Sequence, residues 1–446
     1  MICKGKIRLL RANFKQVQLF VPKSLKNFMK NFLQRASSIQ ERINELTSKS
    51  AEGDLYGSKG FIEKAETIAS WMKQAGLETR IDNIGNIRGT LKSKTVNAKT
   101  FVIGSHFDTP ATQEKYDGIF GVLSAVNIVE NLHAQQVELP FNIEVIAFAE
   151  EEGGRFNYNY LGSKVVAGTF KNKFLELKDN NGVSLADALK SLNYSAEKIK
   201  EDAISPEELL GYFEMHVEQG CVLADANIPV GIASSIYGQK RIEIKFSGKH
   251  GHAGSTPMDK RHDALAAAAK FILAVEKYAK REKGNLIATV GKLIVHDSAS
   301  NKIAGAVTCT VDIRSNDAAL LSEAYESINS SCEKICDKRN IYFEWKLIQE
   351  TDPVICNKKL RRLLATSISE KNIPFISLES GAVYDAAIIA TVAPVCLLLL
   401  RSFRNDNGNS HEEEEQRTIA TSLEISDHFL KQLISSSEKP FRKKEK

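Results

Sequence analysis

The sequence has few cysteines and no long apolar run, and both absences narrow the class of protein. Its seven cysteines among 446 residues include no Cys-x-x-Cys pair, which argues against a disulfide framework and favours a reducing, intracellular compartment. The longest apolar stretch, residues 386–400, is interrupted by Thr391 and Pro394 and falls short of the roughly 20 residues that span a bilayer. We therefore predict no membrane-spanning helix and expect a cytoplasmic protein.

Neither sign of charge predominates in the chain. Lys and Arg number 60 and Asp and Glu 55, so the net charge of +5 falls short of the basic balance of a dedicated nucleic-acid binder. Hydrophobic residues at 43% and charged residues at 26% are close to the averages of globular proteins, which excludes a disordered, collagenous or coiled-coil chain. We predict a folded protein of two or three domains that has neither nucleic acid nor a membrane as its partner.

Both ends of the chain are basic. Nine Lys and Arg residues precede the first acidic residue, and we interpret residues 1–32 as a basic N-terminal extension and residues 437–446 as a basic tail. Charges at Lys15 and Lys23 interrupt the apolar segment that a secretory signal would need. An organellar transit peptide is the alternative interpretation of the first segment.

Alternating helical and strand patterns predict an α/β fold class. The short apolar runs at residues 100–104 and 142–148 suit buried strands of a mostly parallel central sheet flanked by helices. Residues 236–349 follow a β-α-β-β-α-β order, which predicts an inserted, ferredoxin-like α+β domain. The main domain is therefore predicted to be discontinuous and to comprise residues 33–235 and 350–436.

Polar residues follow the predicted strands, at the sheet edge where open α/β sheets bind ligands. His106 and Asp108, in the segment GSHFDT, lie two residues apart just past a strand. An imidazole in this position can ligate a metal while the carboxylate orients it. Taken alone, the pair is weak evidence for a metal, because such a pair is more often an ordinary histidine beside a turn aspartate.

Further carboxylates come after these two strands. Asp117 precedes a segment of helical spacing, which makes it a candidate helix N-cap. Glu150, Glu151 and Glu152 follow the second strand, and three adjacent carboxylates repel one another unless solvent screens them in an open loop or a cation binds. A carboxylate next to a metal ligand is also placed to deprotonate water.

Two more histidines complete a candidate ligand set. His216 lies in the segment EMHVEQG, and His411 lies in NGNSH after the last predicted strand. Imidazole and carboxylate ligands favour zinc, manganese, cobalt or nickel over calcium. Together with His106, Asp117 and Glu152 they make five ligands, a number that suits two metal ions sharing one water.

The motifs taken together resemble those of the hydantoinase/carbamoylase amidases, a branch of the dimetal aminoacylase and carboxypeptidase superfamily. The resemblance covers residues 33–435, and its segments keep the family's order and spacing: GSHFDT, KYDGIFGV, EEEGGRF, EMHVEQG, GQKRIEIKFSGKHGHAGSTPMDKRHDALAAAA, SNKIAGAVTCTVDIRS, SGAVYDAA and NGNSHEEE. It implies a metal-dependent hydrolase of linear amides, such as N-carbamoyl amino acids or the ureido acid allantoate, that releases ammonia.

The resemblance also implies a role for each motif residue at the metal centre. Two divalent ions per subunit would be bound, with Asp117 bridging them and Glu151 acting as general base. Asp108 would orient the first histidine. The implied metal ligands are His106, Asp117, Glu152, His216 and His411.

At the substrate, His252 would stabilise the developing oxyanion, and the carboxylate of a small-molecule substrate would meet Arg314. A planar guanidinium on the polar face of a packed strand suits such a bidentate contact. Gln219, Asn301 and Tyr384 would be further substrate contacts. Residues 236–349 would act as a lid and as the interface of a homodimer.

Two departures from the family pattern lie at the substrate end of the site. The chain has Val383-Tyr384-Asp385-Ala386 where the family usually has Gly-His-Asp-Ala, and residues 402–409 form a longer loop than the family's Gly-Gly turn. Tyrosine donates a hydrogen bond but does not titrate near neutral pH. A dipeptidase or aminoacylase with the same metals, and a non-catalytic metal- or ligand-binding relative, are therefore the alternative interpretations.

Overall fold

The computed structural model describes residues 23–49, 55–108, 115–402 and 412–437, and these residues form two compact units. The smaller unit contains Ser235–Ile355 and Glu379–Val383. The larger unit contains the described residues of Leu10–Ser234, Cys356–Leu378 and Tyr384–Lys446. The predicted inserted domain, residues 236–349, lies within the smaller unit.

The elements of the first segment of the larger unit are α1 (Lys23–Lys49), α2 (Lys59–Gln74), β1 (Glu78–Ile81), β2 (Ile87–Leu91), β3 (Thr100–His106), α3 (Ile119–Ala134), β4 (Asn142–Phe148), α4 (Leu161–Val166), α5 (Leu185–Ser191), β5 (Leu209–Val217), α6 (Val222–Ala226) and β6 (Val230–Ile236). Short 3-10 helices occur at Asn172–Glu176, Ala196–Asp202 and Pro206–Glu208. The last residues of β6 already belong to the smaller unit.

The smaller unit continues with β7 (Gly238–Ser247), β8 (Gly251–His252), α7 (Ala264–Arg281), β9 (Ile287–Val295), β10 (Lys302–Ile303), β11 (Ala306–Ser315), α8 (Ala318–Asp337), β12 (Tyr342–Thr351) and β13 (Val354–Ile355). A 3-10 turn lies at Met258–Lys260. The chain then adds α9 (Lys358–Glu370), β14 (Phe375–Ser380), α10 (Asp385–Ile389), β15 (Val395–Leu400) and α11 (Glu412–Ser437).

A nine-stranded sheet in the order β1-β2-β4-β3-β5-β15-β6-β13, with β14 paired to β6, forms the framework of the fold. Its central strands β4, β3, β5 and β15 are parallel, and antiparallel pairs flank them. Helix α3 packs on β3, β4 and β5, and α1 packs on α3 and α11. This arrangement confirms the predicted α/β class with a mostly parallel central sheet. Because parallel strands point the same way, the residues after β3, β4 and β5 meet at one edge.

The smaller unit is built on a four-stranded antiparallel sheet in the order β12-β7-β11-β9. Along β11, buried residues at positions such as Val307 and Cys309 alternate with half-buried residues such as Thr308. The buried side chains form a core with α7 and α8. The observed β-α-β-β-α-β order is the one that the spacing of apolar residues predicted.

The ends of the described chain differ from the boundaries read from charge. Helix α1 begins at Lys23, inside the predicted extension of residues 1–32, and Phe32 is buried in the main core. Helix α11 ends at Ser437, the first residue of the predicted tail. The prediction from charge therefore made the N-terminal extension too long, because one face of α1 is apolar and packs in the core. Within the described ranges, no helix is both long and apolar enough to cross a bilayer.

A buried ion pair joins β2 to β4. The Nε atom of Arg88 donates to Oε1 of Glu144 at 2.7 Å, and its Nη2 atom donates to Oε2 at 3.2 Å. The third donor, Nη1, bonds to the carbonyl oxygen of Asp202 at 2.6 Å. The side chains of Arg88 and Glu144 are 5% and 9% exposed, so removal of either would leave a buried charge without its counter-ion.

We predict that Glu144→Ala lowers the free energy of unfolding of the larger unit by about 3–5 kcal/mol, because Arg88 stays buried. The control is Glu78→Ala on β1, which removes an exposed pair with Lys92 and should change that free energy by less than about 1 kcal/mol. Urea titration followed by circular dichroism measures both. Similar losses in the two variants would contradict this account of the buried pair.

Candidate metal centre and active site

Two histidines meet at the edge of the sheet where the parallel strands end. His106 is the last residue of β3 and His216 lies one residue before the end of β5. Both are buried, and their Nε2 atoms are 3.4 Å apart. The Nδ1 atom of His106 bonds to the carbonyl oxygen of Asp108, and that of His216 to the carbonyl oxygen of Val217, each at 2.9 Å. Because a carbonyl only accepts, each neutral ring carries its hydrogen on Nδ1 and a lone pair on Nε2.

Asp117 lies beside these two lone pairs. Its Oδ1 atom is 3.2 Å from Nε2 of His216 and 3.9 Å from Nε2 of His106. Gln219 donates from Nε2 to both carboxylate oxygens, at 3.4 and 3.3 Å. Burial tends to raise the pKa of Asp117, but the imidazoles of His216 and His106, which attract the carboxylate when they are protonated, and the amide of Gln219 lower it to about 2. The site therefore places an ionised carboxylate beside two imidazole nitrogens whose lone pairs can bind a metal.

The N-cap interpretation of Asp117 is wrong. Helix α3 begins at Ile119 with Gly118 as its N-cap, and no side chain caps it. Gly118 has a φ of 66°, and a Cβ atom added there would lie 2.4 Å from two atoms of the His106 ring. Only glycine therefore allows the turn that directs Asp117 toward the imidazoles instead of the helix N–H groups.

The three adjacent glutamates do not act as one cluster. Glu150 has a φ of 52°, and its Oε1 atom accepts hydrogen bonds from the backbone N–H groups of Arg155 and Phe156 at 3.0 and 3.1 Å. Burial raises the pKa of Glu150 to about 8. Glu151 and Glu152 instead lie with His106, with one ligand atom from each residue within 4.8 Å of the others. The prediction of a three-carboxylate cation site is thus corrected to two.

Asp108 connects the loops that follow β3 and β4. Its Oδ1 and Oδ2 atoms accept hydrogen bonds from the backbone N–H groups of Glu151 and Glu152, at 3.2 and 3.1 Å. Its carboxylate is 3.7 Å from Nδ1 of His106, while its backbone carbonyl takes the Nδ1 hydrogen. One residue thus fixes the histidine and the two glutamates relative to one another.

Two buried carboxylates near the site were not identified from the sequence. Glu214 accepts a hydrogen bond from the hydroxyl of Ser105 and another from the backbone N–H of Ala386, each at 3.0 Å. Asp385 is also fully buried, and burial together with the charge of Glu214 raises the pKa of Asp385 well above its usual value. Glu214 lies two residues before His216 on β5, and this shared strand face was the available signal.

Of the predicted substrate contacts, Gln219 and Tyr384 lie at this centre. The ring centroid of Tyr384 is 4.7 Å from that of His216, and the tyrosine is only 2% exposed. The tyrosine that replaces the usual histidine therefore packs directly against a predicted metal ligand. The last predicted ligand, His411, lies outside the described residues, as does most of the 402–409 loop.

In the smaller unit, the structure brings His252 and Asn301 together. Lys302 of β10 pairs with His252 of β8, and the backbone N–H of Ala253 donates to the carbonyl oxygen of Asn301 at 2.9 Å. Both predicted contact residues are exposed on this two-stranded ribbon.

Arg314 already binds a carboxylate of its own chain. Its Nε and Nη2 atoms donate to Oδ1 and Oδ2 of Asp312 at 2.8 and 3.1 Å, and Nη1 donates to the carbonyl oxygen of Gly381 at 3.0 Å. Gln239 donates to the same Asp312 carboxylate at 2.5 Å. An internal partner thus occupies one bidentate edge of the guanidinium that was predicted to bind a substrate.

The donor atoms of the larger unit suit divalent cations. One group comprises His106, Asp117 and His216, all buried, and the other comprises His106, Glu151 and Glu152. Burial lowers the pKa of His106, but the carboxylates of Asp108, Asp117 and Glu152 raise it above its usual value, so the surroundings favour positive charge. Nitrogen and carboxylate donors in this combination fit zinc, manganese, cobalt or nickel. The residues present therefore fit the metal centre that the resemblance implied.

Known proteins are similar to this chain in sequence and in fold. Residues 103–436 match the model of peptidase family M20/M25/M40. The chain is 33% identical to an N-carbamoyl-L-amino acid amidohydrolase of Geobacillus stearothermophilus, over 82% of this chain and 90% of that protein. It is 32% identical to allantoate deiminase 1 of Glycine max, over 84% of each. A crystal structure of an amidase of the hydantoinase/carbamoylase family from Burkholderia vietnamiensis is similar at a TM-score of 0.79 and 26% identity, over 88% of this chain and 97% of that one. The chain therefore belongs to peptidase family M20/M25/M40 and is a metal-dependent amidohydrolase of the hydantoinase/carbamoylase kind.

Proposed function

We propose that the protein hydrolyses a linear amide bond in an N-carbamoyl amino acid or a ureido acid such as allantoate, and that it releases ammonia. The observation that carries this proposal is the convergence of His106, His216 and Asp117. Relatives named for N-carbamoyl amino acids and for allantoate share the sequence at about one third identity. That similarity and the metal-ligating groups of the site support the proposed substrate class.

The proposal includes two divalent metal ions per subunit, zinc or else manganese, cobalt or nickel. The residues that would hold them are His106, Asp117, Glu152, His216 and His411. When bound, such a metal pair supplies Lewis-acid chemistry that lowers the pKa of water and polarises the substrate carbonyl. The ionised state of Asp117 supports its assignment as a metal ligand.

In this proposal Glu151 is the general base. Its carboxylate takes a proton from the attacking water as the oxygen bonds to the carbonyl carbon, and then gives that proton to the leaving nitrogen as the C–N bond breaks. Burial, followed by the charges of Glu152 and Asp385, raises the pKa of Glu151 well above its usual value. A raised pKa makes this carboxylate a stronger base, and neighbouring cations would keep it ionised.

The remaining assignments concern the substrate. His252 would donate to the developing oxyanion. Arg314 and Asn301 would bind the substrate carboxylate. Gln219 and Tyr384 would contact the reacting end, which their positions beside Asp117 and His216 support. Arg314 keeps Asp312 as an internal partner, so the substrate would share this guanidinium.

We further propose that residues 33–235 and 350–436 form the catalytic domain and that residues 236–349 form a lid and a homodimer interface. The edge strand β9 supports this interface, because Ile287, Leu293 and Ile294 are exposed along it and an edge strand offers unpaired backbone groups. A cytoplasmic location, or an organelle if the basic N-terminal segment is a transit peptide, belongs to the same proposal.

Ammonia release tests the reaction and the metal together. Chelator-stripped protein should release no ammonia from allantoate, N-carbamoyl-L-amino acids or 3-ureidopropionate, and zinc, manganese or cobalt should restore release from at least one of them. N-acetyl amino acids and dipeptides in the same series detect the aminoacylase or dipeptidase that the family's peptidase members suggest. Equal release with and without metal would exclude the proposed mechanism.

Exchange of Glu151 for Gln should lower kcat by about 10²–10⁴-fold, because the amide cannot accept the proton, while the bound metal stays unchanged. The matched control is Glu150→Gln, whose side chain keeps an acceptor for the N–H groups of Arg155 and Phe156 and should retain activity. Steady-state kinetics and metal analysis of each variant measure kcat and the amount of bound metal. An active Glu151→Gln protein would disprove the assignment of the base.

Exchange of Arg314 for Ala should raise the KM of carboxylate-bearing substrates by about 10–100-fold, since a hydrogen bond to a charged group contributes about 1.5–3 kcal/mol. The neighbouring Arg241, whose Nε atom lies 4.0 Å from the Asp312 carboxylate, provides the control variant Arg241→Ala. Steady-state kinetics of both variants, on a substrate and on its carboxamide analogue, measure the change in KM. An unchanged KM in the Arg314 variant would remove this residue from the binding site.

A further inference from the structure

Three polar side chains from distant parts of the sequence meet in the interior of the larger unit. The hydroxyl of Tyr116 donates to Oε2 of Glu415 at 2.5 Å, and Nε2 of Gln40 lies 3.4 Å from the same oxygen. Each of the three residues is only 6% exposed. We refer to Tyr116, Glu415 and Gln40 as the Tyr116 cluster.

Each member of the Tyr116 cluster belongs to a different segment, and two of these segments border predicted metal ligands. Tyr116 immediately precedes Asp117 in the sequence. Glu415 lies in the first turn of α11, a helix that starts directly after His411. Gln40 belongs to α1, which lies outside the residues that match the family model, and it also donates to the carbonyl oxygen of Glu412 at 3.4 Å.

The position of α1 is itself fixed by a second polar contact. Arg35 donates to both carboxylate oxygens of Asp427 in α11, at 2.6 and 3.1 Å, and to Oδ1 of Asn127 in α3 at 2.7 Å. Helix α1 is therefore attached to the two helices that lead away from Asp117 and His411. Such bidentate contacts between ionised groups restrict orientation as well as distance.

Glu415 depends on its hydrogen-bond partners because it is a buried carboxylate. The N-terminal turn of α11 favours its negative charge, and Tyr116 and Gln40 supply donors to Oε2. A buried carboxylate that loses a donor is destabilised, so these side chains hold one another in place. The constraint reaches the metal centre over a single peptide bond, because the backbone after Tyr116 enters the tight turn closed by Ile119 N–H and the carbonyl oxygen of Asp117 at 2.7 Å.

We propose that Tyr116, Glu415 and Gln40 are positioning residues that set the metal affinity of the site, by holding the turn of Asp117 against α11 and α1. The inference rests on the proposed function in one respect, namely that Asp117 ligates the metal. None of the three belongs to the groups of ligand atoms at the metal centre, so their effect is transmitted through Asp117. Helix α1 thereby becomes part of the support of the metal centre.

The test is the affinity for Zn²⁺, measured by competition with a chromophoric chelator on the full chain. Tyr116→Phe keeps the buried ring and removes the hydroxyl, and it should weaken zinc binding by about 10–100-fold, as is usual for residues that support a ligand. Gln40→Leu and Glu415→Gln should weaken it in the same direction. With saturating zinc, kcat of these variants should recover toward the wild-type value, which loss of a catalytic group would not allow.

The matched control is Tyr56→Phe. Tyr56 is also buried and its hydroxyl donates to the carbonyl oxygen of Ile84 at 2.8 Å, so its loss removes a buried hydrogen bond from the same unit. Zinc affinity of this variant should equal that of the wild type. A loss as large as that of Tyr116→Phe would show that general destabilisation is responsible, and would overturn the inference.

The Asp117→Asn variant distinguishes failure of the proposed metal centre from failure of the proposed role of the Tyr116 cluster. If wild type binds no zinc, or if Asp117→Asn binds it unchanged, the proposed metal centre fails and this inference fails with it. If Asp117→Asn loses zinc while Tyr116→Phe and Glu415→Gln bind as wild type, the inference alone is overturned. If the Tyr116→Phe protein does not fold, the zinc affinity of Glu415→Gln is the test instead. If Gln40→Leu binds zinc as the wild type does, α1 has no part in setting the metal affinity.

Discussion

The approach of two imidazole nitrogens to 3.4 Å beside one ionised carboxylate is the constraint on which the rest of the site depends. Lone pairs at this distance repel each other, so the chain must hold the rings of His106 and His216 by their other nitrogens. Backbone carbonyls do so at the ends of parallel strands, whose common direction brings both rings to one edge of the sheet. The loop hydrogen bonds of Asp108 then add the two glutamates. The fold thus concentrates electron donors in a buried volume that favours positive charge.

Much of this architecture could be predicted because it follows from short, regular patterns. Apolar runs defined β3 and β4, and the parallel order implied that residues after them would meet. The β-α-β-β-α-β order of the smaller unit could be predicted because strands such as β11 have one apolar face. Charge was a weaker guide: the basic residues near the N-terminus suggested a solvated extension, whereas the apolar face of α1 is part of the core.

The features that escaped prediction depend on single backbone angles or on distant contacts. The separation of Glu150 from its two neighbours follows from a positive φ at a residue other than glycine, which no spacing rule indicates. The pairing of Asp312 with Arg314 is an exception, because these residues lie two apart on one strand face and the alternation alone indicates the contact. Tyr116 and Glu415 are separated by 299 residues, and only the folded chain brings them together.

The close contact between Gly118 and His106 has an entropic consequence. The backbone of that glycine lies against one side of the ring, and the Nδ1 hydrogen bond fixes its rotation about the side-chain axis. A histidine on a surface loses rotamer freedom when it captures an ion, whereas this ring has already lost it during folding. The free energy of cation binding is therefore opposed by little conformational entropy at this ligand, and the chain bears that part of the cost in its own stability.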